Sequence, residues 1–488
     1  MQICFPDREY DSTVKPYWND TCQKLSDKLF LPAVNKNKPN FTVSVISGII
    51  QKILPVTPQN FPVSFKVNLE TQPDVVVKTV KKIRFYFTCA EQRVKYQQML
   101  MVARRAYNLA VDLLNNGKYR DENGNPTDLR PCVRETVRQE TGENDAVFDV
   151  NVCDQAVRLA QSDFIDVCRK NKNKKPDGSV FSRLGFKSRK NRKQTFAHPR
   201  LGKAGQVCIK SLGKIRLTES LPAEAAGKNV DVTCDHGRWF ICVMKNVTIK
   251  GNNQTGCESQ APETGVSGET KAVRCIALDP GSRTFMTGFN EHEVVQYGKD
   301  FSVNFLLPLA KKMRRVFSLR QQLKNHTLYA KEEAERPKWL SDRLRFVEKQ
   351  LDRLECQRQN LTEHLHKTVA QHLVSHYDVI YLPEFRSKEM VKTHGRSLNR
   401  KAVHNMLSLK HYRFKQFLLW MAEKYGKKVI VVNESYTSKT HSWNGVINEK
   451  LGASKNIKEN EFVVDRDING ARGIYLKHVA FALQNAVT

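Results

Sequence analysis

Apolar and polar positions follow no period over residues 1 to 75, where Pro, Asn and Lys are frequent, so this stretch reads as an irregular N-terminal extension. The pattern sharpens at "KTVKKIRFYFT". Val80, Ile83, Phe85 and Phe87 are read as an apolar side, and Lys82, Arg84 and Tyr86 as a basic, aromatic one, which predicts a half-buried strand. Thr88-Cys-Ala-Glu91 matches a capping box, and the helix it opens stops at Asn115-Asn116-Gly117. A second helical stretch covers about 150 to 170. Short strands return between 205 and 250 ("QVCIK", "KIRLT", "NVDVTC", "RWFICVM"), and a polar, Gly- and Thr-rich linker ends near 270.

Beyond 270 strands and helices alternate. "AVRCIALD" is an apolar strand, and two long helices follow between 302 and 377, divided near Pro337. In the second, Leu340, Leu344, Val347, Leu351, Leu354, Leu361 and Leu365 repeat every three or four residues, the stripe of a helical hairpin. Next come the strand "DVIYL", a helix around 402 to 425, the strand "KKVIVVN" and a final helix.

Charge changes the picture. The 488 residues hold 80 Lys and Arg against 50 Asp and Glu, a formal net charge of +30. Such an excess repels itself unless a polyanion neutralises it, and nucleic acid is the expected partner. Between Arg169 and Arg200 stand twelve Lys or Arg and one acid, Asp177, which reads as a phosphate-backbone footprint. The run "KSRKNRK" serves equally as a nuclear-import signal or a nucleic-acid contact. Twelve cysteines form no C-x-x-C and no signal sequence is expected, so a reducing compartment is predicted; the apolar stretch "VSVISGIIQKILPV" is too short to span a membrane.

Four acids stand at element ends. Asp279 closes the strand in "CIALDPGSRTF", Glu434 follows "KKVIVV", Glu384 follows "DVIYL", and Asp467 opens the last helix. Each has a plain role available: turn former, strand-end surface acid, helix cap. Parallel strands, however, collect functional groups at their carboxyl ends. Crowded carboxylates resist ionisation unless cations sit among them, and hard oxygen donors suit Mg²⁺ or Mn²⁺. Two such ions, about 3.5–4 Å apart, hydrolyse phosphodiesters.

"ALDPGSRTF", "YTSKT" and "DRDINGARGIYLK", in that order, resemble the RuvC nuclease core of TnpB proteins and their eukaryotic relatives, the Fanzor proteins; the "NGAR" form and long N-terminal extension look more like Fanzor. Upstream, "KKIRFYFT", "RRAYNLAV", "FKSRKNRKQTF" and "GKIRLTESLP" are similar to the family's wedge and recognition region. The resemblance implies an α/β multidomain protein: an extension (1–75), a β-barrel-like wedge domain (76–91 and 180–270), a helical recognition domain (92–179) and an RNase H-like RuvC nuclease domain (271–488). The last carries a helical insertion (302–377) and a lid (436–462). It implies DNA cleavage directed by a guide ωRNA beside a short adjacent motif, in a monomer acting in the nucleus with its RNA and double-stranded target DNA. Asp279, Glu434 and Asp467 would hold two Mg²⁺ ions, with Glu384 the alternative to Glu434. Lys82, Arg84, Arg104, Lys187, Arg189, Lys190, Arg192, Lys193 and Arg466 would contact nucleic acid.

Two departures stand out. Prokaryotic relatives end the second core strand with a Glu where "VIYLPEF" has Pro383, leaving Glu384 one residue late and on the opposite face. Relatives also carry two Cys-x-x-Cys pairs in the lid, whereas no cysteine follows Cys356 here, so no structural zinc is expected and His441 reads as a polar contact. A guided DNA binder without cleavage, and an RNase H-like strand transferase, are the rival readings.

Overall fold

The computed structural model describes residues 18–29, 31, 33–34, 41–46, 49–54, 75–117, 127–141, 149–172, 183–198, 214–249, 273–326, 329, 335, 337–385, 400–448, 454–459 and 462–487. They divide into two compact units, Val76–Thr248 and Met1–Val75 with Ile249–Thr488. The strand expected at "QVCIK" and the linker before 270 lie outside the described residues.

The first 75 residues are not irregular throughout. They hold helix α1 (Asp20–Lys28) and strands β1 (Ala33–Val34), β2 (Phe41–Ile46) and β3 (Ile50–Leu54). Asn19 caps α1, its side chain accepting from Cys22 N at 2.9 Å. The β2–β3 hairpin has no periodic signature because its pairing partner lies some 240 residues on.

In the unit Val76–Thr248, five strands are ordered β5-β7-β8-β4-β6: β4 (Val75–Tyr86), β5 (Lys193–His198), β6 (Arg216–Leu217), β7 (Val230–Asp235) and β8 (Arg238–Ile249). Ile83 and Phe85 of β4 are buried while Lys82, Arg84 and Tyr86 are exposed. Val80 departs from the reading at 68 % exposure, because counting by twos from Ile83 leads to 81, not 80. Helix α2 (Ala90–Asn115) starts with Cys89 as N-cap and no side-chain cap bond. The Thr88–Glu91 box does not form; Gln92 Oε1 instead accepts from Thr88 N at 3.0 Å. Helices α3 (Arg130–Thr141), which no pattern announced, and α4 (Val150–Lys172) complete the unit. Tyr96, Phe85, Phe87 and Trp239 meet in its core.

The second unit is built on seven strands ordered β13-β12-β9-β10-β11-β3-β2. β9 (Cys275–Pro280), β12 (Val379–Pro383) and β13 (Lys428–Val432) are parallel; β10 (Met286–Phe289) and β11 (Val294–Tyr297) continue antiparallel to β3. The helical hairpin is α5 (Leu307–Lys324) and α6 (Lys338–His376). Of its stripe, Leu340, Val347 and Leu365 are fully buried and the intervening leucines half-covered. The helix expected at 402 to 425 is two, α7 (Arg400–Leu409) and α8 (His411–Lys424), since Lys410 adopts a left-handed conformation at φ 52°. β14 (Asn456–Glu459) and β15 (Phe462–Asp465) form a small sheet with β1, and α9 (Arg466–Val487) ends the chain.

Both faces of the parallel strands are covered. Ile276, Leu278, Ile380 and Leu382 pack with α6 and α8 through Val369, Leu373, Phe414 and Leu418. Cys275, Ala277, Val379, Tyr381 and Val432 pack with α9 through Ile468, Ala471 and Ile474. Each fully buried Leu or Ile contributes about 1.5–3 kcal/mol, so these two layers fix which way every strand residue points. Among the described residues, no helix is long and apolar enough to cross a membrane.

Candidate active site

Strand register assigns the acids to faces. β12 pairs with β9 at Tyr381 and Ala277, and with β13 at Pro383 and Val432. Two residues past the first pair, Pro383 stands level with Asp279. Asp279 continues the Cys275, Ala277 series toward α9. Glu434, two residues beyond Val432, continues toward the same side. Glu384 follows Ile380 and Leu382, which face α6 and α8.

The start of α9 completes the arrangement. Asp465 Oδ1 accepts from Asp467 N at 2.9 Å, so Asp465 serves as the helix cap. Asp467 lies in the first turn. One turn on, Gly470 abuts Asp279: a Cβ there would overlap Asp279 Oδ2 and lie 3.6 Å from Ser438 Oγ. A Cβ on Gly281 would lie 3.5 Å from Asp467 Oδ2. The turn "DPG" and the helix start thus bring Asp279 and Asp467 together across nearly 190 residues of sequence.

The three acids are half-buried, and Asp467 and Glu434 both repel Asp279. Burial, then the charges of Asp467 and Glu434, push the Asp279 carboxyl well above its ordinary value, with Arg466 pulling weakly the other way. Asp467 is raised by burial and by Asp465, against Lys455, Arg466 and Arg283. Glu434 is raised by burial and by Glu384. Among the described residues, no three His, Cys, Asp or Glu side chains are already grouped as ligands for one metal ion. The donor type nevertheless fits a hard divalent cation, because carboxylates that raise one another are relieved by positive charge, and Gly470 leaves space beside Asp279.

Each member of the "NGAR" motif has its own task. Asn469 Nδ2 donates to Thr440 O and its Oδ1 accepts from Ser442 N, both at 2.9 Å, fastening the lid turn to α9. Ala471 is fully buried against the sheet. Arg472, 1 % exposed, donates to Ser442 O, Ser26 O, Ser26 Oγ and Leu29 O, tying α1 to the same turn. Lys477 Nζ donates to Asn433 O at 3.1 Å and Ser435 O at 3.4 Å, holding the loop that carries Glu434. The motif is visible in the sequence as a family mark, but the roles of Asn469, Gly470, Arg472 and Lys477 are not. Their signal was a Gly and three polar residues on an otherwise apolar helix. His441 Nδ1 lies 3.2 Å from Glu459 Oε2, with its ring stacked on Trp443.

The basic residues singled out in the Val76–Thr248 unit have different circumstances. Lys82 lies 3.8 Å from Asp235 and over the Phe240 ring, and Arg84 lies over Tyr86. Arg104 donates to Gln194 Oε1 at 2.8 Å, and Lys187 sits over Tyr107. Arg189, Lys190 and Arg192 are exposed just before β5, and Lys193 is exposed as its first residue. In the other unit, Arg466 N donates to Lys455 O, and its guanidinium charge acts on both Asp279 and Asp467.

Residues 411–474 match the family described as Cas12f1-like, TNB domain. Over 445 residues the chain is 27 % identical to TnpB-like protein L79 of Acanthamoeba polyphaga mimivirus, covering 87 % of this chain and 78 % of that protein. The chain is thus similar to a TnpB-like protein over most of its length. TnpB-like protein L770 of the same virus matches over 447 residues at the same identity and coverage. The Cas12f1-like match takes in α8, β13, the lid and the start of α9, and so contains Glu434 and Asp467 but not Asp279. A solved structure described as the mini-RNA-guided endonuclease CRISPR-Cas phi3 aligns at 10 % identity over 83 % of this chain and 92 % of that one; its TM-score of 0.39 carries no argument about the fold.

Proposed function

We propose that this TnpB-like chain is an RNA-guided DNA endonuclease with a RuvC-type site made of Asp279, Glu434 and Asp467. The observation that carries it is the half-buried Asp279 carboxyl at the end of β9, acted on by the charges of Asp467 at the start of α9 and Glu434 beyond β13. A divalent pair, Mg²⁺ or Mn²⁺, would supply an activated water and stabilise the leaving oxygen. The chain's own part is to present the acids. Gly470 admits the Asp279 carboxylate, Asp465 sets the α9 start, and Lys477 fixes the Glu434 loop. Arg466 offsets part of the charge on Asp279 and Asp467, and in this reading it meets a substrate phosphate. The net charge of +30 supports a guide RNA and target DNA as partners, with base pairing reading sequence and protein contacts holding the backbone. The finer form of this reading is a Fanzor-like monomer acting in the nucleus with an ωRNA; "NGAR" supports the Fanzor likeness and "KSRKNRK" the nuclear location.

The displaced Glu384 and the missing lid cysteines favour a second reading, a guided DNA binder that does not cut. Purified protein loaded with its RNA separates the two. Cleavage of matched DNA in Mg²⁺, abolished by EDTA and by RNase pretreatment, supports the nuclease. Binding without cleavage in both Mg²⁺ and Mn²⁺ supports the binder, and cleavage that survives RNase with end joining supports a strand transferase.

A further inference from the structure

The Val76–Thr248 unit carries a cavity of about 200 Å³ where the end of β4, the first turn of α2 and the β7–β8 turn meet. Arg84, Arg93 and Arg238 line it together with Tyr86, Phe87 and Trp239, and no lining residue is acidic. Phe85 and Trp239 belong to the buried aromatic core, whereas Tyr86 is 46 % exposed with the Arg84 guanidinium 4.9 Å from its ring centre. Across the β4–β6 pair, Tyr86 stands opposite Arg216, which extends the cationic rim. Gly237 leaves its part of the wall open, with nothing within 4 Å of its Cβ position.

We propose that this cavity binds a single unpaired nucleotide, its base against the aromatic wall and its phosphate on the arginine rim. The volume far exceeds the ~30 Å³ share of one water and falls short of the ~300–1,000 Å³ of drug-sized sites, so it takes one ring system rather than a stretch of chain. Guanidinium groups fit phosphate by fork geometry, and exposed aromatic rings hold bases without regard to sequence. A paired base presents only its edges, so a duplex cannot fill the cavity. An acidic peptide would engage the rim but leave the aromatic wall unused. The site lies in a different unit from Asp279, and its test reads binding rather than cutting, so it fails or stands independently of the nuclease reading.

The test uses the full chain freed of nucleic acid, at one fixed salt concentration, with labelled single strands of RNA and DNA of the same sequence and the matching blunt duplex. Tyr86→Ala and Arg93→Ala are expected to weaken single-strand binding about tenfold or more while changing duplex binding less than about twofold. Tyr86→Phe should bind as the parent does. A strand with one abasic position, moved along its length, should lose affinity for the parent and not for Tyr86→Ala. Loss confined to RNA, confined to DNA, or shared by both identifies the source of the nucleotide, and each supports the proposal. Equal losses on single strand and duplex, a parallel loss of poly-glutamate binding, or no loss at all overturns it.

Discussion

Gly470 stands where any side chain would overlap a carboxylate oxygen of Asp279. The helix therefore gives up intrinsic propensity, about 1 kcal/mol relative to Ala, at the position that lets the acid into the site. Gly470→Ala should keep or slightly raise the melting temperature, if Asp279 swings aside, while cutting DNA cleavage by about a hundredfold. Calorimetry and a cleavage time course on the same preparation check both halves. A variant that cleaves at the parent's rate would show that the close approach has no catalytic meaning.

Strand parity separates the two candidate glutamates. Glu434 lies on the α9 side with Asp279, and Glu384 follows residues that face α6 and α8. Glu434→Gln is expected to reduce cleavage at least about a hundredfold with DNA binding retained, and Glu384→Gln to stay within about fivefold of the parent. Single-turnover cleavage with saturating guide RNA measures both. The reverse order of effects would transfer the third ligand to Glu384.

Lys477 acts on the site through backbone, donating to the carbonyls on either side of Glu434. Burial holds its ammonium down, to about 8. Lys477→Met should lower the cleavage rate about tenfold and raise the Mg²⁺ concentration needed for half-maximal rate, leaving DNA affinity unchanged. An unaltered Mg²⁺ dependence would reduce Lys477 to a packing role.

The charges of Asp467 and Glu434 acting on the buried Asp279 are a cost the folded chain carries in the absence of a cation. Asp279→Asn is therefore expected to melt no lower than the parent in EDTA, and up to a few degrees higher. Mg²⁺ should raise the melting temperature of the parent and raise that of the variant less. If Mg²⁺ shifts both proteins equally, the cation is binding elsewhere.

Acid stability should be limited by buried imidazoles. Burial pulls His366 down to about 4 and His372 to about 3. The Leu409 carbonyl, and less strongly Glu363, favour charging of His366, while Arg413 and Lys410 oppose it; His376 and Lys52 oppose that of His372. Below the ordinary value of about 6.5 the unfolded chain binds more protons than the folded one, so stability falls with pH from there down to the folded values, by up to about 1.4 kcal/mol per pH unit for each ring. Urea midpoints at pH 7 and pH 5 measure it. The His366→Gln, His372→Gln double variant should lose less than the parent on acidification; an equal loss would place the effect elsewhere.

From β9 onward the parallel strands β9, β12 and β13 and the long helices were legible because apolar runs and stripes alternate with clear turns, and Asp279, Glu434 and Asp467 were visible as acids at element ends; the four-residue strands β10, β11, β14 and β15 were not. The β2–β3 hairpin was not legible, since its partner β11 is remote and local pattern does not encode it. The break at Lys410 was hidden for a related reason: a non-glycine residue is held in the left-handed region by its neighbours, not by its own preference. Helix α3 left too weak a stripe, with only Val133 and Val137 buried.

By itself the sequence determined the charge excess, the parity of each strand and the acids available. Parity already put Glu384 out of step, because side chains alternate whatever the fold. Only the tertiary structure decided which face looks toward α9, that Gly470 exists to admit Asp279, and that Asn469, Arg472 and Lys477 fasten the lid and the Glu434 loop. Those are distances between residues far apart in the chain, and they exist only once packing has fixed sheet against helix.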